Sequence, residues 1–91
     1  MGITRYHLII KGKVQGVGYR MSAYDAASDL GITGWVRNRH DGSVEVLTES
    51  DKATLEQFVL WAKKGPDYAE VSEVKTEELT ATGEFIGFNI R

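Results

Sequence analysis

The stretch Gly12-Lys13-Val14-Gln15-Gly16-Val17-Gly18-Tyr19-Arg20 constrains this chain more than any other. It joins an alternating apolar run to the start of a helical pattern, with two close glycines in the connection and an arginine at its end. Gly16 and Gly18 can take backbone angles closed to other residues. Successive N–H groups can then converge on one point as a backbone nest, and the helix start adds free donors and partial positive charge. The planar fork of Arg20 matches two oxygens of a phosphate. Spacing alone leaves two readings open: an anion cradle, or an ordinary strand–helix turn that contains glycine.

The spacing also excludes. Gly12, Gly16 and Gly18 do not make the Gly-x-Gly-x-x-Gly of a dinucleotide fold. A Walker loop requires Lys-Ser or Lys-Thr after its last glycine, whereas Tyr19-Arg20 follows here. No apolar run ends in an acid suited to magnesium, so the cradle is expected to hold a small phosphate without metal. Ninety-one residues imply a single domain over 1–91. With 42% hydrophobic and 26% charged residues the composition is that of an ordinary globule. A net charge of −2 argues against a general nucleic-acid binder. With no cysteine there is no disulfide, thiolate nucleophile or cysteine-based metal site. The start lacks the apolar core of a signal peptide, and no apolar run approaches the ~20 residues of a membrane helix, so no membrane association and a cytoplasmic location are expected.

Alternation over 5–14 reads as a first strand, with Leu8, Ile10 and Gly12 on one face and His7, Ile9 and Lys11 on the other. Residues 20–30 carry Tyr24, Ala27 and Leu30 near helical spacing, and Gly31 is a natural stop. A second strand over 34–38 and a third over 43–48 flank the turn signal Asp41-Gly42. Leu55, Phe58, Val59 and Ala62 place a second helix over about 52–64, capped by Ser50 or Asp51 and stopped by Gly65-Pro66. Val71, Val74 and Thr76 indicate a fourth strand, and Ile86, Phe88 and Ile90 a short last one. The order β-α-β-β-α-β plus a terminal strand predicts an α+β, ferredoxin-like sandwich with two helices on one face of an antiparallel sheet.

Two segments together carry a family resemblance. Residues 12–20 resemble the first acylphosphatase signature, and Gly34-Trp35-Val36-Arg37-Asn38 followed by Asp41-Gly42-Ser43-Val44-Glu45 resembles the second. Phe88-Asn89-Ile90 is similar to the family's closing Phe-x-Ile. The resemblance spans essentially the whole chain and implies a metal-independent enzyme that splits acyl phosphates into a carboxylate and phosphate. It also implies that Arg20 and the backbone amides of Gln15, Gly16, Val17, Gly18, Tyr19 and Arg20 bind the phosphoryl oxygens, and that Asn38 orients the attacking water. No cofactor is implied; phosphate is both product and inhibitor, and most relatives act as monomers. Arg39 departs from the pattern, because many relatives carry threonine there.

The other candidates have plainer readings. Asp41 belongs to the turn, His7 to a strand surface and His40 to a loop, and two histidines without nearby acids do not complete a metal site. Tyr19 and Tyr24 are expected to pack the first helix on the sheet, Trp35 and Trp61 to serve packing, and Glu70, Glu73, Glu77, Glu78 and Glu84 to form a solvated face. A binding module of the same fold, holding phosphate, a partner or RNA without turnover, is the competing class. Glu45 and the lack of aromatics on the central strands speak against RNA.

Overall fold

The structure is a computed structural model and describes residues 2–91. Its elements run β1 (Thr4–Lys13), α1 (Tyr19–Asp29), β2 (Thr33–Asn38), β3 (Val44–Ser50), α2 (Lys52–Lys64), β4 (Glu70–Thr80) and β5 (Phe88–Ile90). The strands form one sheet in the order β4-β1-β3-β2-β5, antiparallel except for β2 with β5. This is the expected ferredoxin-like sandwich, with β1 and β3 side by side in the middle.

The two-residue period of the strands decides which side chains meet the helices. On β1, Tyr6, Leu8 and Ile10 point inward and are buried, as are Val44, Val46 and Thr48 on the adjoining β3. Above them lie Leu55, Phe58, Val59 and Ala62 of α2, and Tyr19, Ala23 and Ala27 of α1. Helix α1 covers β2 and β5, while α2 lies over β4, β1 and β3. The inward stripe of α1 is thus Tyr19-Ala23-Ala27, small at the two later positions, which lets the helix lie close on the sheet. Tyr24 is turned toward the edge, where its ring tilts against Phe88 of β5 at 6.4 Å between centroids.

Several boundaries differ from the sequence reading, three of them with consequences, while the first three strands shift by one or two residues. Helix α1 starts one residue earlier, at Tyr19. Strand β4 extends over Glu70–Thr80, although most of its side chains are exposed, because it is an edge strand paired along nearly all of β1. The last strand begins only at Phe88, leaving Ile86 outside it and fully exposed. The acidic residues Glu70, Glu73, Glu77, Glu78 and Glu84 are all exposed, as expected.

One buried charge was not anticipated. Glu49 of β3 is only 3% exposed. It accepts hydrogen bonds from Arg5 Nε at 2.8 Å, Thr82 N at 2.9 Å and Gly83 N at 3.0 Å. Arg5 also reaches Glu84 at 2.9 Å. This network holds the 81–87 connection as it passes from β4 at one edge to β5 at the other. Burial opposes ionisation of Glu49, but the hydrogen bonds from Thr82, Arg5 and Gly83 outweigh it and hold the carboxyl below its usual 4.5. A carboxylate favoured in the folded state stabilises fully above the unfolded pKa, and that contribution fades as pH falls through the folded one. Glu49→Gln should therefore cost about 1–3 kcal/mol in denaturant unfolding at neutral pH. The gap to the parent should narrow below pH 4.5. Equal stabilities at neutral pH would contradict this account.

Candidate active site

Val14 and Tyr19 bracket the connection between β1 and α1, and each is 1% exposed. The chain between them therefore has fixed ends. Within it, Gly16 has φ 74° and Gly18 has φ 79°, both left-handed. A Cβ at either glycine would meet nothing within 4 Å. The glycines are thus required by their backbone angles and not by crowding, and the space beside them stays open.

Gly18 is also the N-cap of α1, and no side chain accepts from the helix start. The first intrahelical bond runs from Ser22 N to Gly18 O, so the amides of Tyr19, Arg20 and Met21 precede the helical ladder. No acidic residue lies in the first turn. Helix α2 shows the contrast. Asp51 caps it by accepting from Thr54 N at 3.1 Å, and Lys63 and Lys64 sit in its last turn. The helix that follows the glycine loop instead has no side-chain cap among the described residues and places a cation, Arg20, where the dipole disfavours one.

Tyr19 fixes this arrangement from below. Its hydroxyl donates to Ala62 O at 2.9 Å, satisfying a carbonyl at the C-terminal end of α2. Its ring tilts against Trp61 at 5.3 Å. Burial pushes the phenol well above its ordinary pKa, so it remains a neutral donor. Because Tyr19 is anchored, the position of its neighbour Arg20 at the helix start is set as well.

An open concavity of about 270 Å³ lies over the loop, lined by Val14, Gly16, Gly18, Tyr19, Arg20, Met21, Asn38 and Ile90. Arg20 and Asn38 thus share one cavity. Arg20 is exposed and takes part in no ion pair among the described residues. The other arginines are engaged: Arg5 with Glu49, Arg37 with Glu45, Arg39 with Asp41, and Arg91 over Trp35. Asn38 closes β2 opposite Val44 and so faces the helix side of the sheet, half-buried.

Gln15 and Val17 do not line the cavity. Val17 packs on the core. Gln15 Nε2 donates to Arg39 O at 2.7 Å and to Ser43 O at 2.9 Å, tying the loop to the base of the β2–β3 hairpin just beyond Asn38. That clamp joins the segment carrying Arg20 to the strand carrying Asn38. Asp41 proves to be a turn residue: its Oδ1 accepts from Ser43 Oγ and from Ser43 N at 3.0 Å. Those bonds hold its carboxyl below the ordinary range. His40 is exposed in the turn after β2 has ended. His7 pairs with Glu45 at 2.6 Å on the sheet face away from the helices. Among the described residues, no cluster of three or more His, Cys, Asp or Glu is arranged to hold a metal ion. Met21 was not singled out from the sequence, and Ile90 was named there only for the last strand and the closing motif, not for the site. The alternation of Phe88 and Ile90 was the available signal for Ile90.

The comparisons with known proteins give the family and the fold. The acylphosphatase family model matches residues 6–90. The chain belongs to the acylphosphatase family. It is 49% identical to the acylphosphatase of Pelotomaculum thermopropionicum over 90 residues, covering 99% of this chain and 98% of that protein. It is also 49% identical to that of Marinobacter nauticus, covering 97% and 96%. The crystal structure of acylphosphatase from Bacillus subtilis superimposes with a TM-score of 0.93 at 34% identity, covering 97% of this chain and 98% of that one.

The Gln15 clamp gives a prediction that does not depend on catalysis. Gln15→Met keeps the side-chain length but removes both donors. It should lower stability by about 1–2 kcal/mol and speed hydrogen exchange at the loop amides. Unaltered exchange and stability would show that the loop holds its shape without the clamp.

Proposed function

We propose that this chain, as one acylphosphatase-like domain over residues 1–91, hydrolyses acyl phosphates to a carboxylate and inorganic phosphate by direct attack of water. The observation that supports this best is the uncapped, cation-bearing start of α1 over the two left-handed glycines, sharing one cavity with Asn38. Phosphoryl oxygens lie against the amides of the 15–20 segment, and the Arg20 guanidinium supplies the paired positive charge. A loose phosphoryl transition state requires positioning and charge neutralisation above all. An arginine supplied to such a state is worth ~10³–10⁵ in rate in other phosphoryl-transfer enzymes.

Asn38 orients the nucleophile. Its carboxamide oxygen accepts a hydrogen bond from water, leaving the NH2 free to donate elsewhere. The water oxygen attacks phosphorus, and the bond from phosphorus to the acyl oxygen breaks. The electron pair leaves on a carboxylate whose conjugate acid has a pKa of about 4, so no general acid is required. One water proton passes to a phosphate oxygen of the substrate. Neither Asp41, held in its turn, nor His40, beyond the strand end, serves as base. The product phosphate occupies the same cradle and inhibits. The chain acts as a monomer, without metal or cofactor.

The test is release of phosphate from benzoyl phosphate, with inhibition by inorganic phosphate measured alongside. Arg20→Ala should lower kcat/KM by about 10³ or more and weaken phosphate inhibition. Asn38→Ala should lower kcat by about 10² or more and largely keep phosphate inhibition, since water and not phosphate loses its partner. Equal rates for the parent and Arg20→Ala would remove the enzyme reading in favour of a binding module. Weakened phosphate binding with kcat retained would contradict the role of Asn38.

A further inference from the structure

We infer that Met21 and Ile90 form an acyl-binding shelf beside the phosphate cradle, so that the preferred substrates are acyl phosphates with an uncharged, carbon-rich acyl group. The inference rests on the hydrolysis proposed above and deepens it.

A substrate of that reaction has two ends. The phosphoryl end takes the loop amides and Arg20, which is the sole charged side chain lining the cavity among the described residues. The acyl end must lie along what remains of the wall. Val14 and Tyr19 are 1% exposed and form the floor. The apolar surface left open to a ligand belongs to Met21, 58% exposed, and Ile90, 39% exposed. The two arrive from different elements. Met21 follows Arg20 directly in the first turn of α1. Ile90 is registered with Val36 across the parallel β2–β5 pair, on the face that Asn38 shares two residues further along β2. Covering such surface with an apolar group removes it from water, which is favourable, and a methionine thioether adapts readily to aromatic or aliphatic shapes.

A second concavity of about 340 Å³ adjoins at Asn38 and offers the opposite chemistry, with Arg37, Arg39, His40 and Asp41 in its wall. It would suit an acyl group bearing a second anion. Its arginines already have acidic neighbours, however: Arg37 Nε lies 2.7 Å from Glu45 and Arg39 Nη1 lies 4.0 Å from Asp41. That leaves little free positive charge there, and the apolar shelf is the stronger match.

The experiment compares kcat/KM of the full chain for acetyl, benzoyl and succinyl phosphate. The parent should favour benzoyl over acetyl by about tenfold or more and treat succinyl no better than acetyl. In Met21→Ser/Ile90→Ser the benzoyl-to-acetyl ratio should fall by about fivefold or more, with Met21→Ser alone giving part of that fall. Comparing ratios between variants cancels the intrinsic reactivity of each acyl phosphate. A parent that turns over neither acetyl nor benzoyl phosphate overturns the hydrolysis reading itself. Turnover with an unmoved ratio in both variants overturns the shelf alone. So does a parent that prefers succinyl to acetyl phosphate and loses that preference in Arg39→Ala, which would assign the acyl end to the second concavity. An equal loss on both substrates with weakened phosphate inhibition also overturns it, since Met21 and Ile90 would then support the phosphate end.

Discussion

The docking of Tyr19 beneath α2 is the contact on which the rest of the site depends. A buried ring and one hydrogen bond to Ala62 O pin the first residue of α1. Val14 pins the other end of the loop. With both ends held, the left-handed angles of Gly16 and Gly18 leave only a narrow choice of path for the main chain between them. An anion site made of amides gains its strength from donors aimed before the ligand arrives. In the cradle proposed above, that aim derives from core packing, not from charge.

The sheet topology performs the second task, bringing distant segments to one end. Strand β1 delivers the loop as it leaves the sheet, and β2 ends at Asn38 two strands away. Gln15 spans the gap by bonding the carbonyls of Arg39 and Ser43. The parallel pairing of β5 with β2 brings Ile90 to the same end. At the opposite end of β1, Arg5 and Glu49 secure the chain that makes β5 possible. An ion pair far from the cavity thus holds in place a strand that lines it.

Much of this was legible in the residues, for identifiable reasons. Helix α2 was readable because Leu55, Phe58, Val59 and Ala62 keep one unbroken stripe, and each proved buried. The loop was readable because left-handed angles demand glycine and an arginine at a helix start runs against the dipole. The inward stripe of α1 was misjudged in part, since Tyr24 fits the helical period yet faces the edge strand, while Tyr19 lies one residue before the expected start. The extent of β4 was hidden because an edge strand rich in charge lacks the alternation that marks a half-buried one. Glu49 gave no sign of burial because its partners lie 44 and 33 or 34 residues away. The clamp made by Gln15 and the placing of Ile90 at the cavity wall were not legible for the same reason: both arise from strand order, which only the folded chain displays.

The most direct test of the central claim is a titration of the isotopically labelled chain with inorganic phosphate, following every backbone amide by NMR. The account predicts saturable shifts that are largest at Gln15 through Arg20, with Asn38 affected less and the Arg39–Asp41 turn nearly still. Saturable shifts centred on that turn, or none in the loop while phosphate inhibits turnover, would contradict it.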